Sequence, residues 1–357
     1  MLITTFDYLR ALCSLLIVSL RSGLLGLIGE WFTSSTANIL EITIGYIAVP
    51  IFIQISLFLL FVKVDTNGWS YLIKKRIPKL VALYLFWVSL HTIFKIVAQN
   101  NLSYLQATIT SFKTLIEFLV SGGFSPYYFF FILVFLTILS QSFDYIVGYL
   151  HKPEKKIYYY SFLGSCLVVF LISLTNTRLC CVYEEYGLAI IGAISNIAKW
   201  DYNPINFIPY IFSTAIVAYD YKNKKIKSLD RKLIHRLIIV FLLSAFFFTV
   251  ELSINYNMLS YSRLSLIFFS WGVLYLAVAA RFKSSKLVQF ISSYSLGIYV
   301  FHIYFTDYSE WIQYFVLITG HELPFNVIVI LKFIIAVLGS ILLTMLFRQV
   351  SFLKNYV

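Results

Sequence analysis

Apolar side chains run through the sequence in stretches of roughly 17 to 24 residues, separated by short polar connections. A helix needs about 20 mainly apolar residues to cross the hydrocarbon core of a bilayer. The pattern therefore predicts an all-α fold, a polytopic helical bundle with about ten transmembrane helices in a single membrane domain covering residues 1–357. The ten runs lie near residues 7–28, 39–62, 80–98, 126–147, 157–175, 204–220, 233–254, 261–280, 287–306 and 324–347.

The topology depends on whether a shorter apolar stretch, 186–198, crosses the membrane. Lys and Arg concentrate in the cytoplasmic loops of membrane proteins. If this stretch does not cross, all four basic connections lie on one side, both termini are cytoplasmic, and 186–198 is an interfacial or re-entrant piece on the outer side. In the alternative with eleven crossings, the basic residues of 222–227 lie outside. The four basic connections are 74–79, 151–156, 222–232 and 281–286.

Composition supports a membrane location. Hydrophobic residues make up 60% of the chain and charged residues 12%, values outside the range of soluble globular domains. The net charge of +12 sits in the short loops, so it indicates cytoplasmic loops and argues against a nucleic-acid partner. We expect a multi-pass protein of the cytoplasmic (inner) membrane, with the lipid bilayer as its first partner. The four cysteines show no metal-ligand spacing, so no metal site is predicted.

Charged and titratable residues inside apolar runs are costly and are candidates for function. In LRALCSLLIVSLRSG, Arg10 and Arg21 are eleven residues apart, which places them on one helix face about 16 Å apart along the axis. Asp7, one turn before Arg10, can neutralise it. Alternatively, both arginines snorkel towards headgroups. His302 lies deep in the ninth run, where its imidazole can transfer a proton or simply pack in the core.

Four further residues are candidates for substrate binding. Gln54 and Ser56 place hydrogen-bonding groups in the second run, where such residues also join helices. Arg76 and Lys79 belong to a basic segment before the third run, which suits a phosphate-bearing substrate such as an acyl-CoA. The same segment can instead set topology and contact anionic lipid. The chain lacks GxxxxGK[ST], GxGxxG, HExxH and GxSxG, so nucleotide hydrolysis and the common hydrolase classes are not predicted.

Five segments, in this order, resemble the acyltransferase 3 family of integral membrane O-acyltransferases. The resemblance implies transfer of an acyl group, commonly acetyl from acetyl-CoA or another acyl-CoA, to a sugar hydroxyl of a cell-surface polysaccharide or lipid-linked glycan. The chain looks like the stand-alone members, which implies other polysaccharide-synthesis proteins as partners. The matching segments are FDYLRALCSLLIV, VPIFIQISLFLL, KKRIPKLVALYLFW, PYYFFFILVFLTIL and YSLGIYVFHIYF.

One departure from the family pattern affects the chemistry. The family keeps an Arg and a His in the first span with ten residues between them; Arg10 matches the Arg, but Arg21 occupies the His position. A guanidinium cannot act as a base at ordinary pH. One hypothesis is an O-acyltransferase in which Arg10 holds the donor or an oxyanion, Arg21 adds electrostatic stabilisation and His302 is the base. The other is an altered member that acts in glycan export or assembly. A transporter is disfavoured because no repeats are visible.

Overall fold

The structure, a computed structural model, consists of helices and connecting turns, without a strand in the part of the chain that it describes. The predicted interfacial stretch at 186–198 lies outside the described residues, so the choice between ten and eleven crossings stays open. The described residues are 2–98, 106, 110–123, 126–150, 155–174, 203–226, 229–280, 282–283, 285–307 and 323–357.

Six helices in the described ranges are long and apolar enough to cross a membrane, or seven if a bent pair at the start is counted as one span. The structure thus confirms an all-helical chain with several apolar spans, while the count of ten and the cytoplasmic termini remain predictions. The six are Ala37–Lys63, Trp69–Val97, Tyr128–Gly148, Lys155–Leu174, Arg231–Ser253 and Phe325–Gln349.

The described residues form two compact units, one made of Met1–Phe52 with Ala280–Val357 and the other of Ile53–Ala279. The prediction of a single domain is a statement about the whole chain and stays a prediction. Helices of the first unit are α1 (Leu2–Ser22), α2 (Leu24–Glu30), α3 (Ser34–Ile39), the start of α4 (Ala48–Tyr71), α12 (Lys286–Ser293), α13 (Ser295–Phe301), α14 (Ile303–Thr306) and α15 (Phe325–Gln349). Helices of the second unit, besides the rest of α4, are α5 (Ile77–Ala98), α6 (Phe112–Val120), α7 (Tyr128–Leu150), α8 (Lys155–Leu174), α9 (Ile208–Lys222), α10 (Arg231–Ser253) and α11 (Leu264–Ala279).

The first predicted span, 7–28, is divided in the structure. Helices α1 and α2 meet at Gly23 with a bend of 77°. Gly23 has φ of +81°, a left-handed conformation that glycine adopts without the steric cost of a Cβ. The apolar pattern continues through residue 28 because both helices bury apolar faces, so hydropathy alone does not reveal the bend.

The ninth predicted span, 287–306, is also interrupted. It forms the three short helices α12, α13 and α14, with breaks at Tyr294 and His302. Helix α13 packs between α1 and α15, and Val18, Ile298 and Ala336 form the fully buried core there. A Cβ on Gly297 would overlap the side chain of Thr344 on α15, so the close approach of these helices depends on this glycine.

The second unit is built around the short helix α9. Eleven of its fifteen residues are buried, and it packs against α7, α8 and α11. Polar side chains on such a helix need partners inside the protein because neither water nor lipid headgroups reach them. Ser213 and Asp220 are two such side chains, and both are completely buried.

Candidate active site

His302 lies in the single-residue break between α13 and α14 and is completely buried. Its Nδ1 atom is 2.7 Å from the carbonyl oxygen of Tyr299 and 3.2 Å from that of Ile298. Both carbonyls belong to the preceding turn of helix, so the local backbone holds the imidazole ring in place. The side chain is therefore oriented by its own helix.

The two carbonyl contacts define the tautomer of His302. A carbonyl oxygen only accepts hydrogen bonds, so Nδ1 is the nitrogen that carries the proton and donates it. The neutral ring then presents an unprotonated Nε2 atom. Nε2 is buried and has no hydrogen-bond partner among the described residues. A general base needs a free lone pair within hydrogen-bond reach of the proton that it takes, and Nε2 supplies the free lone pair.

Two charged side chains act on the His302 imidazole. Arg21 and Asp307 both interact electrostatically with it. Arg21 lies in the last turn of α1 and is exposed, at a helix end where the macrodipole favours a cation. Asp307 follows α14, is exposed, and accepts a hydrogen bond of 3.0 Å from the Thr306 hydroxyl. The structure therefore brings Arg21 and His302 together, although 281 positions separate them in the sequence (302 − 21).

Asp307 was missed by sequence reasoning. Its signal was a carboxylate directly after the apolar run that carries His302. Only the packing of α1 against α13 and α14 makes it the negative counterpart of Arg21 beside the imidazole.

Arg10 belongs to a separate polar cluster in the N-terminal half of α1. Its guanidinium lies 3.9 Å from a carboxylate oxygen of Asp7, which accepts a hydrogen bond of 2.8 Å from Ser292. The Arg10 side chain is 33% exposed. Because α1 is continuous from Leu2 to Ser22, Arg10 and Arg21 share a face and lie about 16 Å apart along the axis. The sequence prediction of a neutralising Asp7 fits this geometry.

In the second unit, Gln54 connects α4 with α9. Its Nε2 atom donates a hydrogen bond of 3.1 Å to the Ser213 hydroxyl, which in turn donates to the carbonyl of Tyr210. The Gln54 side chain is completely buried, and its Oε1 atom has no hydrogen-bond partner among the described residues. The geometry agrees with the helix-joining alternative, while the unused carbonyl oxygen leaves an acceptor available to a substrate group.

Arg76 and Ser56 meet in the second unit. The Arg76 guanidinium donates to the carbonyl and to the hydroxyl of Ser56, at 2.9 and 3.1 Å. A straight helix would hold residues twenty positions apart at about 30 Å, so the chain turns back between them. Lys79, one turn after Arg76, is exposed. Ser56 thus positions Arg76 and not Lys79.

The described residues contain no group of three or more His, Cys, Asp or Glu side chains that could hold a metal ion together. Cys13 and Cys166 are both buried and free.

Comparison with known proteins defines the family. The family model for the acyltransferase domain, acyltransferase 3, matches residues 3–347, nearly the whole chain. No curated protein and no solved structure matches the sequence. The match includes all of the second unit, most of the first and every candidate residue. With its several apolar helices, this multi-pass chain belongs to the acyltransferase 3 family, a family of membrane acyltransferases.

Proposed function

We propose that the protein is an O-acyltransferase of the cytoplasmic (inner) membrane. It transfers an acyl group, acetyl in the simplest case, from acyl-CoA to a sugar hydroxyl of a cell-surface polysaccharide or a lipid-linked glycan. The family match supports acyl transfer in general. The observation that carries the proposal is the buried, unprotonated Nε2 atom of His302 beside Arg21.

His302 acts as the general base in this proposal. The sugar hydroxyl donates its proton to Nε2 while its oxygen attacks the thioester carbonyl carbon of the donor. A C–O bond forms and the C–S bond breaks, leaving the acyl ester and the CoA thiolate. His302 then returns the proton to the thiolate, so the imidazole is neutral again at the end of the cycle.

Arg21 supplies positive charge near the reacting atoms. A guanidinium cannot accept a proton, but it stabilises the negative charge that develops on the carbonyl oxygen during attack. Asp307, of opposite sign, favours the imidazolium that forms transiently on His302. Arg10, held by Asp7, is proposed to bind the donor from the other end of the same helix face.

The remaining candidates are assigned to substrate binding. Arg76 keeps its guanidinium oriented through Ser56, and an oriented guanidinium can bind phosphate oxygens in a bidentate way. Lys79 adds an exposed positive charge one turn away. Acyl-CoA carries phosphates, so these cations suit the donor. Gln54 offers its free carbonyl oxygen to a hydroxyl or amide group.

Membranes that contain the protein, incubated with labelled acetyl-CoA, test the proposal directly. Label should appear in the glycan fraction and should be lost in His302→Gln membranes. Mass spectrometry of surface glycans from cells with and without the gene should show an added acyl mass, such as acetyl or succinyl, only when the gene is present.

The same experiment separates the second hypothesis, that the chain acts in glycan export or assembly with other polysaccharide-synthesis proteins. In that case glycan masses are identical in the two strains, but the amount of surface glycan falls when the gene is removed. Unchanged masses with an unchanged amount of glycan would contradict both hypotheses.

A further inference from the structure

A buried acid with two cationic neighbours, none of them assigned to acyl transfer, lies in the second unit. Asp220 on α9 is completely buried. One of its carboxylate oxygens lies 2.5 Å from the Lys155 ammonium on α8 and accepts a hydrogen bond of 2.8 Å from Tyr275 on α11. Arg236 on α10 approaches the same oxygen only to 3.8 Å. Four helices therefore meet at one carboxylate.

The charges in this cluster do not balance. Among the described residues of this cluster, Lys155 and Arg236 carry two positive charges and Asp220 carries one negative charge, leaving a net charge of +1 (2 − 1). Lys155 is the closer partner of Asp220, at 2.5 Å, and its side chain is 18% exposed. The Arg236 side chain lies 3.8 Å from the same oxygen and is 56% exposed. The guanidinium of Arg236 can therefore face a second, external anion while Asp220 remains neutralised by Lys155.

Beside Arg236 there is an apolar pocket. Its volume is about 170 Å³, and Arg236 and Tyr275 are among its lining residues. The walls are mainly apolar, with Leu237, Val240, Leu243 and Trp271 among them. An apolar cavity of about 150 Å³ holds a benzene molecule, so this one has room for roughly six or seven carbon atoms. A segment of an acyl chain with that number of carbon atoms therefore fits in the pocket.

The pocket opens on an exposed apolar face of α10. Ile239 and Leu243, both in its wall, are 46% and 37% exposed, as expected for a groove on the lipid-facing side of a membrane helix. The first two turns of α10 also carry Arg231 and Lys232, both exposed. Cations at a helix N-terminus oppose the macrodipole, so helix stability does not explain them. They belong to the basic connection 222–232, which is predicted to face the cytoplasm.

We propose that this pocket binds an anionic phospholipid, with part of one acyl chain between α10 and α11 and the headgroup phosphate on Arg236. The positive charge of Arg236 complements an anionic headgroup, and the apolar walls suit an acyl chain. An uncharged lipid would leave the excess cation without a counter-ion, and a free phosphate would leave the apolar walls uncovered. No residue of this pocket is assigned to acyl transfer, so failure of the lipid proposal would leave the acyl-transfer proposal unaffected.

Native mass spectrometry of the purified full-length protein tests the site. The protein is offered phosphatidylglycerol and phosphatidylcholine with identical acyl chains in equal amounts, and the ratio of the two bound lipids is measured. We expect phosphatidylglycerol to be enriched, and Arg236→Ala to reduce the enrichment about five-fold. Arg231→Ala removes the same charge from the same helix at a residue that does not line the pocket, so it should leave the ratio unchanged.

A second variant tests the acyl chain. Leu243→Trp fills the pocket at a position that is 37% exposed, where a larger side chain is tolerated, and should reduce phosphatidylglycerol binding without removing charge. Thermal unfolding of each variant verifies the fold. Equal binding of the two lipids by the parent protein would overturn the proposal, as would equal effects of Arg236→Ala and Arg231→Ala. Displacement of the lipid by glycerophosphate would rule out a role for the acyl chain, and displacement by palmitate would show that the occupant is a fatty acid.

Discussion

The Nδ1 atom of His302 lies 2.7 Å from the carbonyl oxygen of Tyr299, three residues earlier in the chain. This one contact fixes which nitrogen carries the proton, because the carbonyl can only accept. Nε2 is left as the basic atom, buried and near the charges of Arg21 and Asp307. This geometry makes His302 a candidate base and not only a packing residue.

Replacing His302 by glutamine tests its role as base. Glutamine keeps a similar size and can hydrogen bond, but it cannot take a proton, so acyl transfer should fall by about 10²-fold or more. The measurement is label transfer from acetyl-CoA in membranes with equal amounts of protein. His235→Gln, at an exposed histidine, is the control and should leave transfer unchanged. Equal activity of the two variants would remove His302 from the mechanism.

Substitutions at Arg21 distinguish charge from proton transfer. If Arg21 stabilises an oxyanion, Arg21→Gln should lower kcat by about 10²-fold, and Arg21→Lys should retain most of it. Arg21→His is the informative third variant. It should lose activity as the glutamine variant does, because His302 is already the base. A gain of activity with Arg21→His would instead show that the missing base belongs at position 21.

Arg76→Lys tests whether the guanidinium contributes more than charge. Lysine keeps the charge but not the planar fork that contacts Ser56, so KM for acyl-CoA should rise roughly ten-fold while kcat stays near its original value. Lys75→Ala removes an exposed cation next to it in the sequence and is the comparison. A similar rise in KM for both variants would mean that the segment acts through its overall charge alone.

Lys155→Met should destabilise the second unit. It leaves the completely buried Asp220 without its closest cation, which typically costs about 3 kcal/mol. Thermal unfolding in detergent should show a melting temperature lower by several degrees. Lys156→Met, at an exposed neighbour, should have little effect. The double variant Lys155→Met with Asp220→Leu should recover part of the loss, and strict additivity of the two changes would contradict a direct interaction.

Gly297→Ala should weaken the packing of α13 against α15. The new methyl group would overlap Thr344, and overpacking of this kind costs about 1 to 3 kcal/mol. Gly164→Ala on α8 is the matched control, since a Cβ there meets nothing within 4 Å. Thermal unfolding compares the two. If Gly297→Ala is as stable as Gly164→Ala, then α13 and α15 are not held together by close contact at this glycine.

Much of the secondary structure follows from hydropathy. The run at 324–347 corresponds to α15, and the run at 157–175 corresponds to α8, each within two residues at its end points. The bend at Gly23 and the breaks at Tyr294 and His302 do not follow. The apolar runs continue on both sides of all three positions. Hydropathy indicates which segments are buried, but it does not indicate the direction of the backbone.

The candidate site was predictable in part. A histidine and two arginines in apolar runs stand out in any sequence, and the ordered segments indicate the family. The grouping of these residues was not predictable. Arg10 and Arg21 share a helix face, yet among the interactions of the described residues it is Arg21 that acts electrostatically on His302. Arg10 lies about 16 Å from Arg21 along the axis of α1, where it contacts Asp7.

The sequence by itself determined that this is a chain of apolar helices from one family, since both properties depend on local composition and on the order of short segments. The tertiary structure decided which polar groups meet. Lys155, Asp220, Arg236 and Tyr275 come from four helices, and no local pattern links them. Burial explains the difference, because a charge enclosed by protein must find its partner across helix interfaces, and those interfaces form only when the helices pack.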